Sequence, residues 1–221
     1  MYQACIFDLD GTLCDSVESI AHCANHALRD MGMKEASSAD YKIFVGDGVD
    51  MLVRRLLQFN GRESEPLFVE LKERYMEYFR EGCKYHVEPY PGILQMLKEL
   101  KGLGARLGVI SNKPHANTLD VIHQVFGKEV FDWVQGQTKD LPRKPDPAGA
   151  LDTARRLGVS PNECLYIGDT GTDMKTGRAA GMHTVGVLWG FRDRKELEET
   201  GAMEVIEEPS VLCRIYRGEN E

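Results

Sequence analysis

The stretch Ile6-Phe7-Asp8-Leu9-Asp10-Gly11-Thr12 joins the end of an apolar strand to two carboxylates and a glycine. In an extended chain, residues i and i+2 project to the same side, about 6–7 Å apart at a rise of roughly 3.3 Å per residue. Two carboxylates at the buried end of a strand are costly to hold unless a cation or a proton lies between them. Asp8 and Asp10 therefore indicate a site that binds a divalent metal ion and carries out chemistry. The alternative is a strand that ends in an acidic turn.

The composition is that of a globular protein with an acidic charge balance. Of the 221 residues, 42% are hydrophobic and 28% are charged, and the net charge is −8. This balance argues against nucleic acid or an anionic membrane as the main partner. No apolar run reaches the length of about 20 residues that spans a bilayer, and no signal peptide is expected because Asp8 and Asp10 interrupt the apolar N-terminal stretch. The six cysteines contain no C-x-x-C pair, so we expect reduced thiols and a cytoplasmic location.

Hydrophobic periodicity divides the chain into two kinds of segment. Between residue 15 and about residue 85 the apolar spacing is helical, with almost no strand signal. From residue 88 onward short apolar strands alternate with helices, which is typical of a parallel sheet flanked by helices. The predicted strands cover residues 3–9, 106–111, 131–134, 164–167 and 184–188, and the predicted helices of this part cover about 93–100, 116–125, 147–157 and 174–180.

These patterns predict an α/β fold in two parts. The core comprises residues 1–14 and 88–221, and an all-helical insertion of residues 15–87 follows the first strand. Two crossings of the chain between the parts allow hinge motion. Ser16 is the predicted N-cap of the first inserted helix.

Three further segments place polar side chains at or near the carboxyl ends of predicted strands, where open α/β sheets bind their ligands. Ser111 follows a buried strand, and Lys144 precedes a proline that restricts its backbone. Asp169 and Asp173 follow another strand. Taken singly, the serine and the aspartates fit helix caps, and the lysine fits a surface charge. Together with Asp8 and Asp10, the segments indicate one active site.

With these motifs in this order, the chain resembles the haloacid dehalogenase-like hydrolase superfamily, and within it the phosphoglycolate phosphatase-like group. The resemblance covers essentially the whole chain and extends to Val45-Gly46-Asp47-Gly48 in the helical insertion. It implies a Rossmann-like parallel sheet core with an inserted all-helical cap domain. It also implies a cytoplasmic enzyme that acts on a small phosphorylated metabolite.

The resemblance further implies a mechanism with an aspartyl-phosphate intermediate. Asp8 attacks phosphorus, while Asp10 protonates the departing alkoxide and then deprotonates the hydrolytic water. The expected phosphoryl-binding and substrate-binding residues are Ser111, Asn112 and Lys144.

A magnesium ion is the expected cofactor, with manganese as the alternative. The resemblance assigns it to Asp8, the backbone carbonyl of Asp10, and Asp169, an all-oxygen set that suits a hard cation. Asp173 is expected to orient Lys144 or a water of the metal.

Several substrates fit the motifs. The first expectation is 2-phosphoglycolate, and the alternatives are sugar phosphates, inorganic pyrophosphate, or the sugar phosphates of a β-phosphoglucomutase-like phosphomutase. The presence of Asp10 favours phosphate-ester chemistry, since dehalogenases that resemble this fold lack the second aspartate. A module that only binds phosphorylated ligands needs no nucleophile paired with an acid. The sequence does not indicate an oligomeric state.

The helical insertion carries candidate specificity residues. Gly46-Asp47-Gly48 predicts a tight turn before a helix that starts at Val49, and the N–H groups of that helix start could hold a substrate carboxylate. If the substrate is 2-phosphoglycolate, we expect Arg54 or Arg55 to contact its carboxylate. The alternative for both arginines is solvent exposure.

Four more side chains could bind a metal ion or react chemically, but the sequence assigns none of them a definite role. His22 and His26 have the i, i+4 spacing of some zinc sites, but no third ligand is evident, which favours ordinary surface histidines. Cys14 lies near the predicted site and hinge, and an inert thiol is favoured over a redox-sensitive one. Lys113 follows Ser111-Asn112 and resembles a lysine that is common at this place in the phosphoglycolate phosphatase-like group. We assign it no role from the sequence.

Overall fold

A computed structural model describes residues 2–219 of the chain and contains a six-stranded, fully parallel sheet. Its strands are β1 (Ala4–Phe7), β4 (Arg106–Pro114), β5 (Trp133–Gln137), β6 (Cys164–Gly168), β7 (His183–Val187) and β8 (Glu204–Ile206). Their spatial order is β5-β4-β1-β6-β7-β8. The apolar run of β1 thus lies inside the sheet, between β4 and β6.

Helices cover both faces of this sheet. The side chains of β1 alternate in direction: Ala4 and Ile6 belong to one buried cluster, and Cys5 and Phe7 to the other. The core helices are α5 (Ile93–Gly102), α6 (His115–Val125), α7 (Ala148–Leu157), α8 (Gly171–Ala179), α9 (Arg194–Thr200) and α10 (Ser210–Arg217), with a short 3₁₀ turn at Pro161–Glu163. The predicted α/β fold with a parallel sheet is confirmed.

Between β1 and the rest of the sheet the chain forms four helices. They are α1 (Val17–Asp30), α2 (Ser38–Phe44), α3 (Val49–Phe59) and α4 (Glu65–Gly82). Their apolar faces meet around Leu56, Leu71 and Tyr75, each of which is at most 2% exposed. Ser37 and Ser64 cap α2 and α4 through their hydroxyl oxygens. We call this helical segment the cap; its boundaries at residues 15 and 87 stay a prediction.

The two crossings of the chain between core and cap lie side by side. The short strands β2 (Cys14–Asp15) and β3 (Glu88–Pro89) pair in an antiparallel manner, with Cys14 opposite Pro89 and Asp15 opposite Glu88. The backbone N–H of Tyr90 also donates to the carbonyl of Leu13 at 3.2 Å. This ribbon was not predictable from the sequence, because two-residue strands carry no periodicity.

Two other features of the fold differ from the predictions. The strand β8 and the helices α9 and α10 follow the last predicted element; β8 has three residues, and α9 is almost entirely charged or polar, so neither has a clear apolar pattern. Ser16 occupies the N-cap position of α1, but its hydroxyl makes no capping bond. It donates instead to Asp10 Oδ1 at 2.5 Å. The prediction that the Ser16 hydroxyl caps α1 is therefore wrong.

Within residues 2–219, none of the helices combines the length and apolarity needed to cross a membrane.

Candidate active site

The three central strands bring the predicted site residues to one edge of the sheet. Phe7 is in register with Val109 of β4 and Ile167 of β6. Asp8 directly follows β1, Asp169 directly follows β6, and Ser111 lies within β4, two residues after Val109. Because the three strands are parallel and in register, these residues lie at neighbouring places near the carboxyl edge of the sheet, where open α/β sheets bind their ligands.

Lys144 lies between two buried carboxylates. Its Nζ is 2.8 Å from Asp8 Oδ1 and 2.7 Å from Asp173 Oδ1, and the lysine side chain is 3% exposed. Its backbone is held by Asn112, whose side-chain oxygen accepts from Lys144 N at 2.9 Å and whose amide donates to Lys144 O at 3.2 Å. Asn112 therefore positions the lysine, a role that the sequence analysis did not assign to it.

The charges of this group shift the pKa values of its members. Burial and the charge of Asp173 raise the pKa of Asp8 to about 7, against the opposing effect of Lys144. Burial alone would lower the pKa of Lys144, but the charges of Asp173 and Asp8 raise it well above its usual value. The ammonium thus stays charged and favours the ionised form of Asp8.

Asp169 is a second buried carboxylate beside Asp8. It is fully buried and accepts hydrogen bonds from Thr12 Oγ1 at 3.0 Å and from the N–H of Phe191 at 2.9 Å. Burial and the charges of Asp173 and Asp8 raise its pKa well above the usual value. Gly11 approaches it so closely, at φ +87°, that a Cβ on Gly11 would lie 2.3 Å from Asp169 Oδ2. Only glycine fits there.

The donor set of this cluster fits a divalent cation. Carboxylate oxygens of Asp8, Asp169 and Asp173 all lie within 4.8 Å of one another, and Lys144 is the ammonium that balances them. Three buried carboxylates with one ammonium leave uncompensated negative charge. Asp173 already binds Lys144 and both the N–H and the hydroxyl of Thr170, so Asp8 and Asp169 are the carboxylates best placed to ligate.

Asp10 faces the same space from the end of β1. Its Oδ1 accepts from Ser16 Oγ at 2.5 Å and from Lys113 Nζ at 2.8 Å. The Lys113 side chain is 2% exposed. Lys113 is thus a site residue to which the sequence analysis gave no role. The available signal was a lysine directly after the Ser111-Asn112 motif of a buried strand.

A small cavity lies between this edge of the sheet and the cap. Its volume is about 50 Å³. The core side of its lining includes Asp8, Asp10, Ser111, Asn112, Lys113 and Pro114, and the cap side includes Ile20, Val45, Gly46, Gly48, Val49, Leu52, Tyr75 and Phe79. The predicted nucleophile, acid and phosphoryl-binding serine therefore share one cavity whose cap side is mostly apolar.

The structure does not bring Arg54 or Arg55 to this cavity. Arg54 is about half exposed, lies 3.5 Å from Glu65 and stacks 4.2 Å from the centroid of the Phe68 ring. Arg55 lies 2.5 Å from Asp47 Oδ2 and donates to the carbonyl of Phe44. Both guanidinium groups are engaged within the cap, so the structure does not place either of them where the expected contact with a substrate carboxylate would occur.

The glycine turn at residues 46–48 docks on the core, as its position before α3 suggested. Asn112 Nδ2 donates to Gly46 O at 3.2 Å, and Thr172 Oγ1 donates to Asp47 Oδ1 at 2.6 Å. Arg192 donates to the carbonyl of Val45 at 2.9 Å. The turn therefore forms part of the roof of the cavity, and carboxylate binding by the N–H groups of α3 stays a prediction.

The histidine pair and Cys14 lie outside the carboxylate cluster. The His22 ring stacks on Tyr85 with centroids 4.2 Å apart, and His26 packs beside Tyr78. The carboxylate cluster is the one candidate metal group found within residues 2–219, and it contains neither histidine. Burial and the charge of Asp10 raise the pKa of the Cys14 thiol, which disfavours the reactive thiolate.

Comparisons with known proteins agree with this geometry. A family model described as haloacid dehalogenase-like hydrolase matches residues 5–187. A phosphoglycolate phosphatase of Neisseria meningitidis serogroup A is 35% identical over 204 residues, which cover 90% of this chain and 86% of the relative. A phosphoglycolate phosphatase of Aquifex aeolicus is 32% identical over 186 residues, or 84% of each protein. The crystal structure of a protein from Lactobacillus delbrueckii subsp. bulgaricus has a TM-score of 0.92 and 29% identity, covering 97% of this chain and 98% of that one.

Proposed function

Because the chain belongs to the haloacid dehalogenase-like hydrolase family, we propose that it is a phosphatase that hydrolyses 2-phosphoglycolate through an aspartyl-phosphate on Asp8. The observation that carries this proposal is the shared cavity of Asp8, Asp10 and Ser111. A nucleophile, a proton donor and a phosphoryl-binding hydroxyl around one space are the parts that phosphate-ester hydrolysis needs.

In the first step, a carboxylate oxygen of Asp8 attacks phosphorus and the bond from phosphorus to the ester oxygen breaks. Lys144, 2.8 Å from Asp8, favours the ionised nucleophile and offsets negative charge on the phosphoryl oxygens. Ser111 donates its hydroxyl to one of those oxygens. Asp10 transfers its proton to the departing alkoxide, a contribution typically worth about 10²–10⁴ in rate.

In the second step, a water molecule attacks the phosphorus of the aspartyl-phosphate. Asp10, now ionised, takes a proton from that water, and the bond from phosphorus to Asp8 breaks. Inorganic phosphate leaves, and both aspartates return to their starting forms. The apolar cap wall keeps other water away from the intermediate.

A divalent cation completes the proposed site. Asp8, Asp169 and the backbone carbonyl of Asp10 would hold Mg²⁺, whose preference for oxygen ligands matches the carboxylate cluster. When bound, the cation supplies positive charge to the transferring phosphoryl group. Asp173 would orient Lys144, in line with their 2.7 Å contact.

The relatives support the choice of substrate. Proteins that are 32–35% identical over most of the chain are phosphoglycolate phosphatases.

The six cysteines of the chain are free thiols and buried, which supports a cytoplasmic location.

Phosphate release across a panel of esters tests the proposal. With Mg²⁺ present, we expect 2-phosphoglycolate to be preferred over glucose 6-phosphate and pyrophosphate. Asp8→Asn is expected to lower kcat at least about 10³-fold, because it removes the nucleophile. Weak hydrolysis of many esters without a preference would support the phosphatase mechanism but contradict 2-phosphoglycolate as the specific substrate. Interconversion of sugar phosphates without phosphate release would assign a phosphomutase instead.

A further inference from the structure

The ammonium group of Lys113 is buried with an incomplete set of acceptors. Its side chain is 2% exposed, and its Nζ lies 2.8 Å from Asp10 Oδ1. On another side it faces the ring of Phe79, 5.0 Å from the centroid. Among the described residues, Asp10 is the one hydrogen-bond acceptor that this ammonium has. An ammonium carries three donors, so two of them have no partner from the protein.

The unused donors adjoin the cavity of the proposed active site. Lys113 is part of the cavity lining, and among the described lining residues it is the only basic side chain. A buried donor without an acceptor is unfavourable, and a charged donor more so. A ligand oxygen in the cavity would satisfy this ammonium.

The position of Lys113 identifies which part of a substrate it meets. Ser111, two residues earlier, is the proposed phosphoryl-binding residue, and Asp10 is the proposed acid at the ester oxygen. A group beside Asp10 and against Phe79 of the cap lies on the leaving-group side of that ester oxygen. Asp8, which is ionised when it attacks phosphorus, would repel an anion there, and the charge of Lys113 opposes that repulsion.

We propose that Lys113 binds the carboxylate of the leaving group and thereby selects phosphate esters whose leaving group is anionic. The inference rests on the proposed phosphatase function and deepens it. It also gives Lys113 the role that the sequence analysis expected of Arg54 or Arg55, both of which are engaged elsewhere in the cap.

A rival role for Lys113 is to orient Asp10 alone. Ser16 binds the same Oδ1 of Asp10 at 2.5 Å, so that oxygen keeps a donor without the lysine. Loss of an orienting residue would slow every phosphate ester alike, because each needs the acid. Loss of a carboxylate-binding residue would slow only the esters that carry a carboxylate. The ratio between two substrates therefore separates the roles.

The test compares 2-phosphoglycolate with ethyl phosphate, which has the same two carbons and no carboxylate. The measured quantity is kcat/KM for the first ester divided by kcat/KM for the second, in the Mg²⁺-loaded enzyme. We expect Lys113→Met to lower this ratio about 10- to 100-fold, as for loss of a hydrogen bond to a charged group. Lys113→Arg, which keeps the cation, should retain most of the ratio. Lys175→Met at an exposed position is the matched control.

The outcomes separate this inference from the proposed function. An equal loss on both esters in Lys113→Met, with the ratio unchanged, overturns carboxylate binding and leaves the phosphatase in place. A wild-type ratio near one does the same. Hydrolysis of neither ester by the wild type refutes the proposed function itself. If circular dichroism shows that Lys113→Met does not fold, Lys113→Gln, which keeps a donor for Asp10, is measured by the same ratio.

Discussion

Thr172 in the core donates its hydroxyl to Asp47 Oδ1 in the cap, across a distance of 2.6 Å. The other oxygen of the same carboxylate lies 2.5 Å from Arg55 of α3. One carboxylate therefore connects the start of α8 to the glycine turn that roofs the cavity. Hydrogen bonds with an ionised partner are stronger than neutral ones, so this contact is a main candidate for holding the turn in place.

Replacing Thr172 with valine removes the hydroxyl and keeps the shape of the side chain. We expect kcat/KM for 2-phosphoglycolate to fall about 10-fold, because a hydrogen bond to a charged group contributes roughly 1.5–3 kcal/mol. Steady-state kinetics measure the effect. Thr138→Val is the control, since the hydroxyl of Thr138 takes no part in the bonds at this boundary. Unchanged kinetics in Thr172→Val would mean that the turn keeps its place without this contact.

The metal-free protein should lose stability as the pH rises from about 4 to about 7. The pKa of Asp8 is about 7 in the folded state and about 3.9 in an unfolded chain. Between these values the folded state binds a proton that the unfolded state has released, so the free energy of unfolding falls with increasing pH. Urea unfolding in EDTA at several pH values measures this slope.

Two comparisons check that the slope comes from the carboxylate cluster. Asp8→Asn removes one titrating carboxyl and should reduce the slope, while Asp169, whose pKa is also raised, keeps part of it. Added Mg²⁺ should raise the melting temperature more at pH 8 than at pH 5, since the ion binds the ionised carboxylates of the folded state. A metal-induced shift that is equal at both pH values would contradict the assignment of Asp8 as a ligand.

Gly11→Ala should destabilise the protein more than a positive φ alone explains. Alanine in the left-handed region costs about 1–2 kcal/mol, and here its Cβ would also lie 2.3 Å from Asp169 Oδ2. Gly32→Ala is the matched control, because Gly32 has φ +61° and a Cβ added to it would meet no atom within 4 Å. Urea unfolding measures the free energy of unfolding of both variants. An equal decrease in the two would show that Asp169 shifts away from the added Cβ without further destabilisation.

Arg54→Ala should leave KM for 2-phosphoglycolate unchanged within about 2-fold, because its guanidinium stacks on Phe68 and faces Glu65 rather than the cavity. Steady-state kinetics at saturating Mg²⁺ test this. Arg62→Ala, another exposed cap arginine, is the control. A large rise in KM in Arg54→Ala but not in Arg62→Ala would contradict this prediction and indicate that Arg54 contacts the substrate.

The grouping of the candidate site residues at one edge of the sheet was predictable because these residues are tied to the strands. Asp8 and Asp169 follow buried apolar strands and Ser111 lies near the end of one, and parallel strands bring such positions together regardless of their distance along the chain. The role of Asn112 in holding Lys144 was not predictable, since it depends on the path of the loop before residue 144.

The cap was less predictable in its details than in its helical character. Periodicity shows which face of a helix is buried, but not which exposed charge finds a partner on another element. Arg55 forms an ion pair with Asp47 of the cap itself, whereas Lys113 forms one with Asp10, which is 103 positions away in the sequence. The place of Ser16 before α1 predicted a helix cap, whereas its hydroxyl binds Asp10.

The paired strands β2 and β3 make a single tether out of two chain crossings. Two separate linkers would bend independently, whereas β2 and β3 are paired, with Cys14 opposite Pro89 and Asp15 opposite Glu88, and therefore bend together. A displacement of the cap would therefore bend one ribbon and not two separate linkers, which limits the directions in which the cap can move over the edge of the sheet. This constraint favours one alignment of the groups that meet across the cavity.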